Sequence, residues 1–343
     1  SVFFIKAQNV NIPDNNFKTA LLGNLQFNPN QDNEITFAEA AAATGQMDVS
    51  GLSISDLTGV EAFTGITWLK CSFNNLSTLD VSNNSSLTIL DAFSNQLNSV
   101  VLNNNSLENV ELSNNNINAV NTSTSINIKA LSLNDNPIST VDVTNNSLIE
   151  LLGVSNTTVT ELNLQNNLAL KNLFASNTHI DTINLVVNSG LNVVVVDSNQ
   201  YLTYLNIKNG NNTAIFMFDA TNNPNLSCIE VDNVAWSNSN WTDKDATAVY
   251  STDCSTISIE ENINKKIEML IYPNPTNNLA TVQLAALPSN GMVNIKDVLG
   301  KTLLQQKITS TNTEINVNHL PKGIYYVELV DDSYKYAKKL VVQ

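Results

Sequence analysis

The chain has 343 residues, room for two or three domains, and 42% hydrophobic against 14% charged residues describe a folded protein, not a disordered acidic tail. The net charge is −15 and all 16 basic residues are lysines, which disfavours nucleic acid and anionic membranes and removes the bidentate arginine fork. No stretch approaches the roughly 18 apolar residues of a membrane-spanning helix. Charge also divides the chain: residues 1–256 carry 7 lysines against 23 acidic residues, whereas 257–343 carry 9 against 8, so a domain boundary is expected at the change.

The first eight residues, SVFFIKAQ, form an apolar run ending in Lys6-Ala7-Gln8 that looks like the tail of a secretory signal peptide, outside the fold. Residues 9–50 are expected to cap the array that follows, with a short amphipathic helix after Pro13, Asp14 and Asn15. Within this cap, Asn28 to Glu39 resembles the EF-hand calcium loop, offering oxygens from Asn28, Asn30, Asp32, Glu34, Thr36 and Glu39. It departs from that frame at Asn28, where Asp is usual, and at Asn33, where Gly is usual. The resemblance implies weak calcium binding; the alternative is a loop that only turns the chain into a helix over 38–43.

From Ile66 to Val231 one pattern returns every 20 to 22 residues, with units beginning at Ile66, Leu87, Leu107, Ile128, Ile149, Leu170 and Asn192. Each follows LxxLxLxxNxLxxLxLxxNxxxL. The alternating LxL pieces place anchors on one face and the middle residue on the other, so each unit is expected to be a coil with two short strands. One coil cannot bury its anchors alone and must stack on its neighbours. Asn74, Asn95, Asn115, Asn136 and then Asn156 or Thr157 are expected to form an internal ladder satisfying turn backbone groups. Residues 51–65 read as an irregular first coil.

These repeats resemble the leucine-rich-repeat family, in particular the short bacterial repeats of internalin type. The resemblance implies a mainly β solenoid whose concave sheet binds a partner. On that face the middle residues of the first LxL are Lys70, Asp91, Glu111, Ser132, Gly153 and Phe174, bordered by Trp68, with Phe73 and Phe93 just beyond the strands. Trp68, Lys70, Asp91, Glu111, Ser132 and Phe174 are the candidate binding residues. The second LxL carries short, uniform residues instead: Asp80, Asn121, Asp142, Asn163, Asn184 and Asn206.

Residues 232–254 are expected to close the far end, with Trp236, Trp241 and Tyr250 covering it and a Cys228–Cys254 disulfide closing a loop worth about 3 kcal/mol in the chain-entropy model. Cys71 occupies an anchor position and is expected to remain a buried free thiol.

Residues 255–266 read as a polar linker. Beyond them, strands are expected over 269–272, 280–284, 293–298, 302–308, 313–317, 324–329 and 334–341, separated by Pro-, Asn- and Gly-rich turns, which describes a small Ig-like β-sandwich. Tyr272-Pro273-Asn274-Pro275, then Asp297 with Gly300-Lys301, then Gly323 and Tyr325, and the closing Lys338-Lys339 resemble the type IX secretion carboxy-terminal sorting domain, type A. That resemblance implies handling by the type IX machinery, export across an outer membrane and attachment at the bacterial surface.

Chemistry is sparse. The two histidines, His179 and His319, lie in different segments, and neither a zinc-protease nor a serine-hydrolase motif occurs. No catalytic residue is assigned and no cofactor is required, calcium at residues 28–39 being the one candidate. The resemblances together imply a secreted, surface-displayed adhesion protein that recognises an extracellular protein or glycan. A structural surface or biofilm component acting by self-association is the rival reading, and an extracellular hydrolase the third.

Overall fold

The computed structural model describes residues 8–254, 269–284, 287, 291–297, 300–331 and 334–343; the expected signal-peptide tail up to Ala7 and the expected linker at 255–266 lie outside them. The chain divides into two compact units, Ser1–Ser255 and Thr256–Gln343.

The first unit opens with helix α1, Asn15–Leu22, whose N-cap Asp14 accepts from the Asn16 and Phe17 N–H groups. Helix α2, Phe37–Ala42, begins with a reciprocal capping box between Thr36 and Glu39. Phe17, Leu21, Phe27 and Ile35 bury themselves against Met47 and Phe63, so cap and array share one core.

The array is a right-through parallel sheet of nine strands, Gly45–Asp48, Ile66–Lys70, Ile89–Asp91, Asn109–Glu111, Ala130–Ser132, Leu151–Gly153, Asn172–Phe174, Val193–Val195 and Met217–Asp219. The first strand falls inside the segment expected to be cap: Met47 pairs with Leu69 and Asp48 with Lys70, because Met47 offers the same inward anchor as the repeat leucines. The last coil is stretched, since Phe218 follows Val194 by more than the usual interval and a short 3-10 turn at Asn212–Ala214 takes up the extra residues.

The second LxL differs from expectation. It pairs as strands only at the two ends, as Thr78–Asp80 with Ser99–Val101, and as Thr182–Asn184, Tyr204–Asn206, Cys228–Glu230 and Val249–Ser251. In the middle coils the same residues are unpaired and lead into turns at 123–124, 144–145 and 165–166. Asn121 and Asp142 there accept from the N–H groups of Ser123 and Thr144, the same local bond that Asp80, Asn184 and Asn206 make where the strands pair.

Two columns of buried side-chain amides tie the coils together. Asn115 donates to the carbonyls of Ala92 and Leu112 and accepts from the Leu97 N–H at 2.9 Å; Asn136 repeats this with Leu112, Leu133 and Ile117. Thr157, not Asn156, continues this column, with its hydroxyl on the Val154 carbonyl, and Asn199 and Asn223 resume it. Asn156 takes the neighbouring left-handed turn at φ 55°. The frame's second asparagine forms the other column, Asn84, Asn104, Asn146, Asn167, Asn188 and Asn209; Asn167, for example, donates to the Val143 and Asn146 carbonyls at 3.0 and 2.8 Å.

The far end closes as an aromatic stack. Helix α3, Val234–Asn240, brings Trp241 against Phe218 with centroids 4.6 Å apart, Trp241 donates to the Ile215 carbonyl, and Tyr250 donates to the Trp241 carbonyl. Asp245 receives the N–H groups of Asn222 and Asn223, ending the asparagine column on a carboxylate. Cys228 and Cys254 are bridged, with Cα atoms 5.9 Å apart, and Cys71 is a buried free thiol.

The second unit has a three-stranded sheet, Met269–Tyr272, Leu279–Leu284 and Asn312–Asn316, and a four-stranded sheet, Thr302–Lys307, Met292–Lys296, Gly323–Asp331 and Tyr334–Val342, paired antiparallel throughout. Val282, Ile315, Val293, Ile295, Val327 and Leu340 fill the core between them.

Candidate functional site

In-register pairing places Lys70, Asp91, Glu111, Ser132, Gly153 and Phe174 side by side across six consecutive strands. At about 4.8 Å per strand the nine-stranded column extends roughly 38 Å. It is polarised. Asp48, Lys70, Asp91 and Glu111 make one end charged; Ala130, Ser132 and Gly153 leave a low centre; Leu151, Phe174, Val195 and Met217 make the stretch beyond it apolar, up to Asp219 on the last strand.

The charged end is internally ordered. Lys70 reaches Asp48 at 3.4 Å and lies 5.2 Å from the Trp68 ring centroid, so the Trp68 indole is half-buried beneath an ammonium. Asp91 accepts from the Ser72 hydroxyl, and Glu111 from the Ser113 N–H at 2.7 Å. Phe174 and Ser132 are half-buried, and Gly153 is fully buried.

Phe73 stands out at the edge of this sheet. It sits at φ 57°, in a column of left-handed residues otherwise filled by Ser94, Asn114, Asp135, Asn156, Asn177, Ser198 and Asn222. Small polar side chains tolerate that conformation; a bulky aromatic is an outlier there. The ring is 62% exposed and meets Phe93 edge-on, with centroids 5.3 Å apart. The sequence singles out the two rings but not the strain, which shows only in the backbone.

The residues of the second LxL have a uniform structural task. Asp80, Asn121, Asp142, Asn163, Asn184 and Asn206 each accept from the N–H two residues on, at Ser82, Ser123, Thr144, Gln165, Val186 and Lys208. The Thr144 hydroxyl and then its N–H hold the Asp142 carboxyl below the usual carboxylate range.

In the loop from Asn28 to Glu39 the side-chain oxygens of Asn30, Asp32 and Glu39 bond locally, whereas the buried Asn28 Oδ1 has no hydrogen-bond partner. The Asn28 amide donates to the Leu22 and Asp32 carbonyls, Asn30 and Asp32 bond each other, and Glu34 pairs with Lys18 at 2.9 Å. Glu39 accepts from the Thr36 N–H and hydroxyl, both at 2.8 Å. Among the described residues no group of three or more His, Cys, Asp or Glu side chains is placed to hold a metal ion.

In the second unit the quoted motifs meet one another. The Asn274 amide donates to the Lys339 carbonyl at 2.7 Å and its oxygen accepts from the Val341 N–H at 2.9 Å, while the Lys338 ammonium reaches the Met269 carbonyl. Pro273 and Pro275 flank that asparagine, and Tyr272 is exposed. Asp297 accepts from the Lys301 N–H around Gly300, whose φ is 83°, and the Tyr325 hydroxyl donates to the Pro321 carbonyl, closing the turn before Gly323.

Residues 270–343 match the family described as the secretion system C-terminal sorting domain. This segment is a sorting domain of that family. The coils before it form a leucine-rich-repeat solenoid, and the chain is thereby addressed for secretion. Among curated proteins, Internalin J of Listeria monocytogenes is 36% identical over 73 residues, 21% of this chain and 8% of that protein. An endo-acting ulvan lyase of Formosa agariphila is 32% identical over 89 residues, 25% of this chain and 17% of that protein. The chain therefore spans less than a fifth of the length of either relative. Similar solved structures include a leucine-rich-repeat protein of Leptospira interrogans, at 17% identity and TM-score 0.49 over 64% of this chain and 59% of that one. An internalin of Listeria monocytogenes follows at 15% identity and TM-score 0.39 over 71% and 93%. No helix among the described residues is long and apolar enough to cross a membrane.

Proposed function

We propose that the solenoid is a non-catalytic binding and adhesion module, displayed at the bacterial outer surface after export through the type IX machinery, and that its concave face recognises an extracellular partner. One contrast carries this reading. Asp80, Asn121, Asp142, Asn163, Asn184 and Asn206 of the second LxL column make the same turn bond, whereas the concave column changes charge, size and polarity from strand to strand, a variety that uniform stacking does not require. The exposed, strained Phe73 ring adds a large apolar contact at the edge of that column.

The test is capture by the immobilised full chain from extracellular protein and from a glycan array. Phe73→Ala and Phe174→Ala are expected to weaken binding by about 1–3 kcal/mol each, as aromatic anchors do. Asn121→Ser and Asn163→Ser should leave affinity unchanged, since serine also accepts the turn N–H. Affinity that follows the second column, or self-association indifferent to every concave substitution, would transfer the role to a structural surface component.

A further inference from the structure

The apolar stretch of the concave sheet leads into a cavity of about 480 Å³ between the last strand and the closing segment, bordered by Phe216, Met217, Asp219, Asn240 and Asp243. Phe216 does not belong to the repeat's logic. In the preceding coils its column, the residue just before each strand's middle pair, holds Thr67, Thr88, Glu108, Lys129, Glu150, Lys171 and Asn192, all polar or charged. The backbone is equivalent: the Phe216 N–H donates to the Asn192 carbonyl as Lys129 does to Glu108 and Lys171 to Glu150. Only the side chain has changed, and its ring is 78% exposed beside Met217, itself 50% exposed.

Besides the Asn240 amide and the Thr242 hydroxyl, the polar groups of this cavity are two carboxylates without a counter-cation among the described residues. One oxygen of Asp219 accepts from the Thr221 N–H and hydroxyl, at 2.9 and 2.8 Å; Asp243 has only the Thr242 hydroxyl, at 3.5 Å. The adjacent ammonium, Lys244, is turned away onto the Ala248 and Asp245 carbonyls and the Tyr250 ring. Neither Asp219 nor Asp243 forms an ion pair among the described residues. An anionic occupant would be repelled by both carboxylates, a purely apolar one would leave them to water, and a neutral sugar, whose hydroxyls can donate to them, would leave their charge unanswered. An ammonium on an apolar stem answers all three features: it neutralises the carboxylates, its stem covers Met217, and the charge meets the face of Phe216.

We propose that this cavity is a subsite for an amphiphilic cation, the basic side chain of an extracellular polypeptide beside an apolar neighbour. The proposal rests on the concave sheet being the binding face and narrows its partner from protein or glycan to a basic polypeptide, which the excess of acids in residues 1–256 also favours.

The probe is the capped dipeptide N-acetyl-phenylalanyl-lysine amide, titrated into the full chain by calorimetry. Its neutral isostere with norleucine and methyl β-glucopyranoside are the comparisons. Saturable binding of the lysine probe is expected, weakened about tenfold by Phe216→Ala or by combined Asp219→Asn and Asp243→Asn, and weakened by added salt. Asparagine at 219 keeps an acceptor for Thr221, so an unchanged melting temperature will accompany these variants if the fold is intact. Equal affinity for the norleucine probe, affinity untouched by the asparagine substitutions, or a glucoside bound more tightly and lost in Phe216→Ala would overturn the subsite. Those results leave the broader binding-face reading to be decided separately by capture with Phe73→Ala and Phe174→Ala.

Discussion

Asn134 lies across Gly153 at the centre of the concave sheet. Its oxygen accepts from the Ser155 N–H at 2.8 Å, and a Cβ added at Gly153 would come within 2.8 Å of its amide nitrogen. A side chain at 153 therefore evicts Asn134 without touching the leucine core. Gly153→Ala is expected to cost about 0.5–1.5 kcal/mol, the worth of one hydrogen bond, and to leave a cooperative thermal transition. A loss above about 3 kcal/mol in thermal or urea melts would mean that the backbone, not the amide, yields.

The asparagine columns separate stability from surface. Asn136→Ala leaves the Leu133 carbonyl and the Ile117 N–H buried without their partner, while the Leu112 carbonyl keeps the Asn115 amide, and is expected to cost about 2–4 kcal/mol. Asn121→Ala removes one solvent-exposed turn bond and should cost about 1 kcal/mol or less. Equal losses in denaturant melts would contradict the division of labour between the two.

Burial, and then the Asp91 carboxylate, push the Cys71 thiol well above its usual range, so alkylation at mildly alkaline pH is expected only after unfolding. Tyr204 gives a second handle. Burial and its hydrogen bond to Glu230 at 2.6 Å push its phenol up to about 12. The folded state holds that proton more tightly than the unfolded chain, so this contribution is complete below the ordinary tyrosine value near 10 and disappears as pH rises through about 12. Tyr204→Phe should remove one late step from the ultraviolet phenol titration and flatten the alkaline loss of stability.

Thr36 and Glu39 form a capping box within the candidate calcium loop. A capping box and the last positions of an EF-hand loop both ask for an oxygen residue followed three places later by Glu, and only the direction of the Glu39 side chain separates them. Millimolar calcium is therefore expected to raise the melting temperature by less than about 2 °C, whereas Glu39→Ala should cost about 1 kcal/mol. A calcium shift above about 5 °C, abolished by Asp32→Asn, would return the loop to cation binding.

The array was legible because Leu69, Leu90, Val110 and Leu131 recur at nearly constant spacing, and an anchor that fails to recur would open the stack. What stayed illegible depends on contacts that spacing does not encode. Asn156 and Thr157 both hydrogen-bond, so only the backbone tells which one faces inward. Pairing at the second LxL is not encoded by its residues, since Asp80 and Asn184 in paired strands make the same turn bond as Asn121 and Asn163 in unpaired segments. Phe216 escaped because the stretched coil at residues 208–216 hides its place in the column. The candidate binding residues were placed together by register alone; their unequal burial, with Trp68 under Lys70 and Phe73 outward, came from side-chain packing.

The sorting domain offers the last prediction, because its separated motifs form one physical joint. Asn274 imitates a strand edge, donating to the Lys339 carbonyl and accepting from the Val341 N–H, and Thr276 continues the pairing with the Val341 carbonyl and the Gln343 N–H. The final strand thus has Gly323–Asp331 on one side and the Asn274 segment at its end. Asn274→Ala removes two bonds and is expected to cost about 1–2 kcal/mol, seen as faster hydrogen exchange at the Val341 amide. Removing residues 338–343 takes away both partners of Asn274 together with the buried Leu340 and Val342 side chains, so that unit should lose its ordered face while the solenoid, which has its own core, stays folded. Fractionation of producing cells should then find the truncated chain held in the envelope with the Cys228–Cys254 bridge formed. Normal display of that truncated chain would detach export from the joint between Asn274 and the final strand.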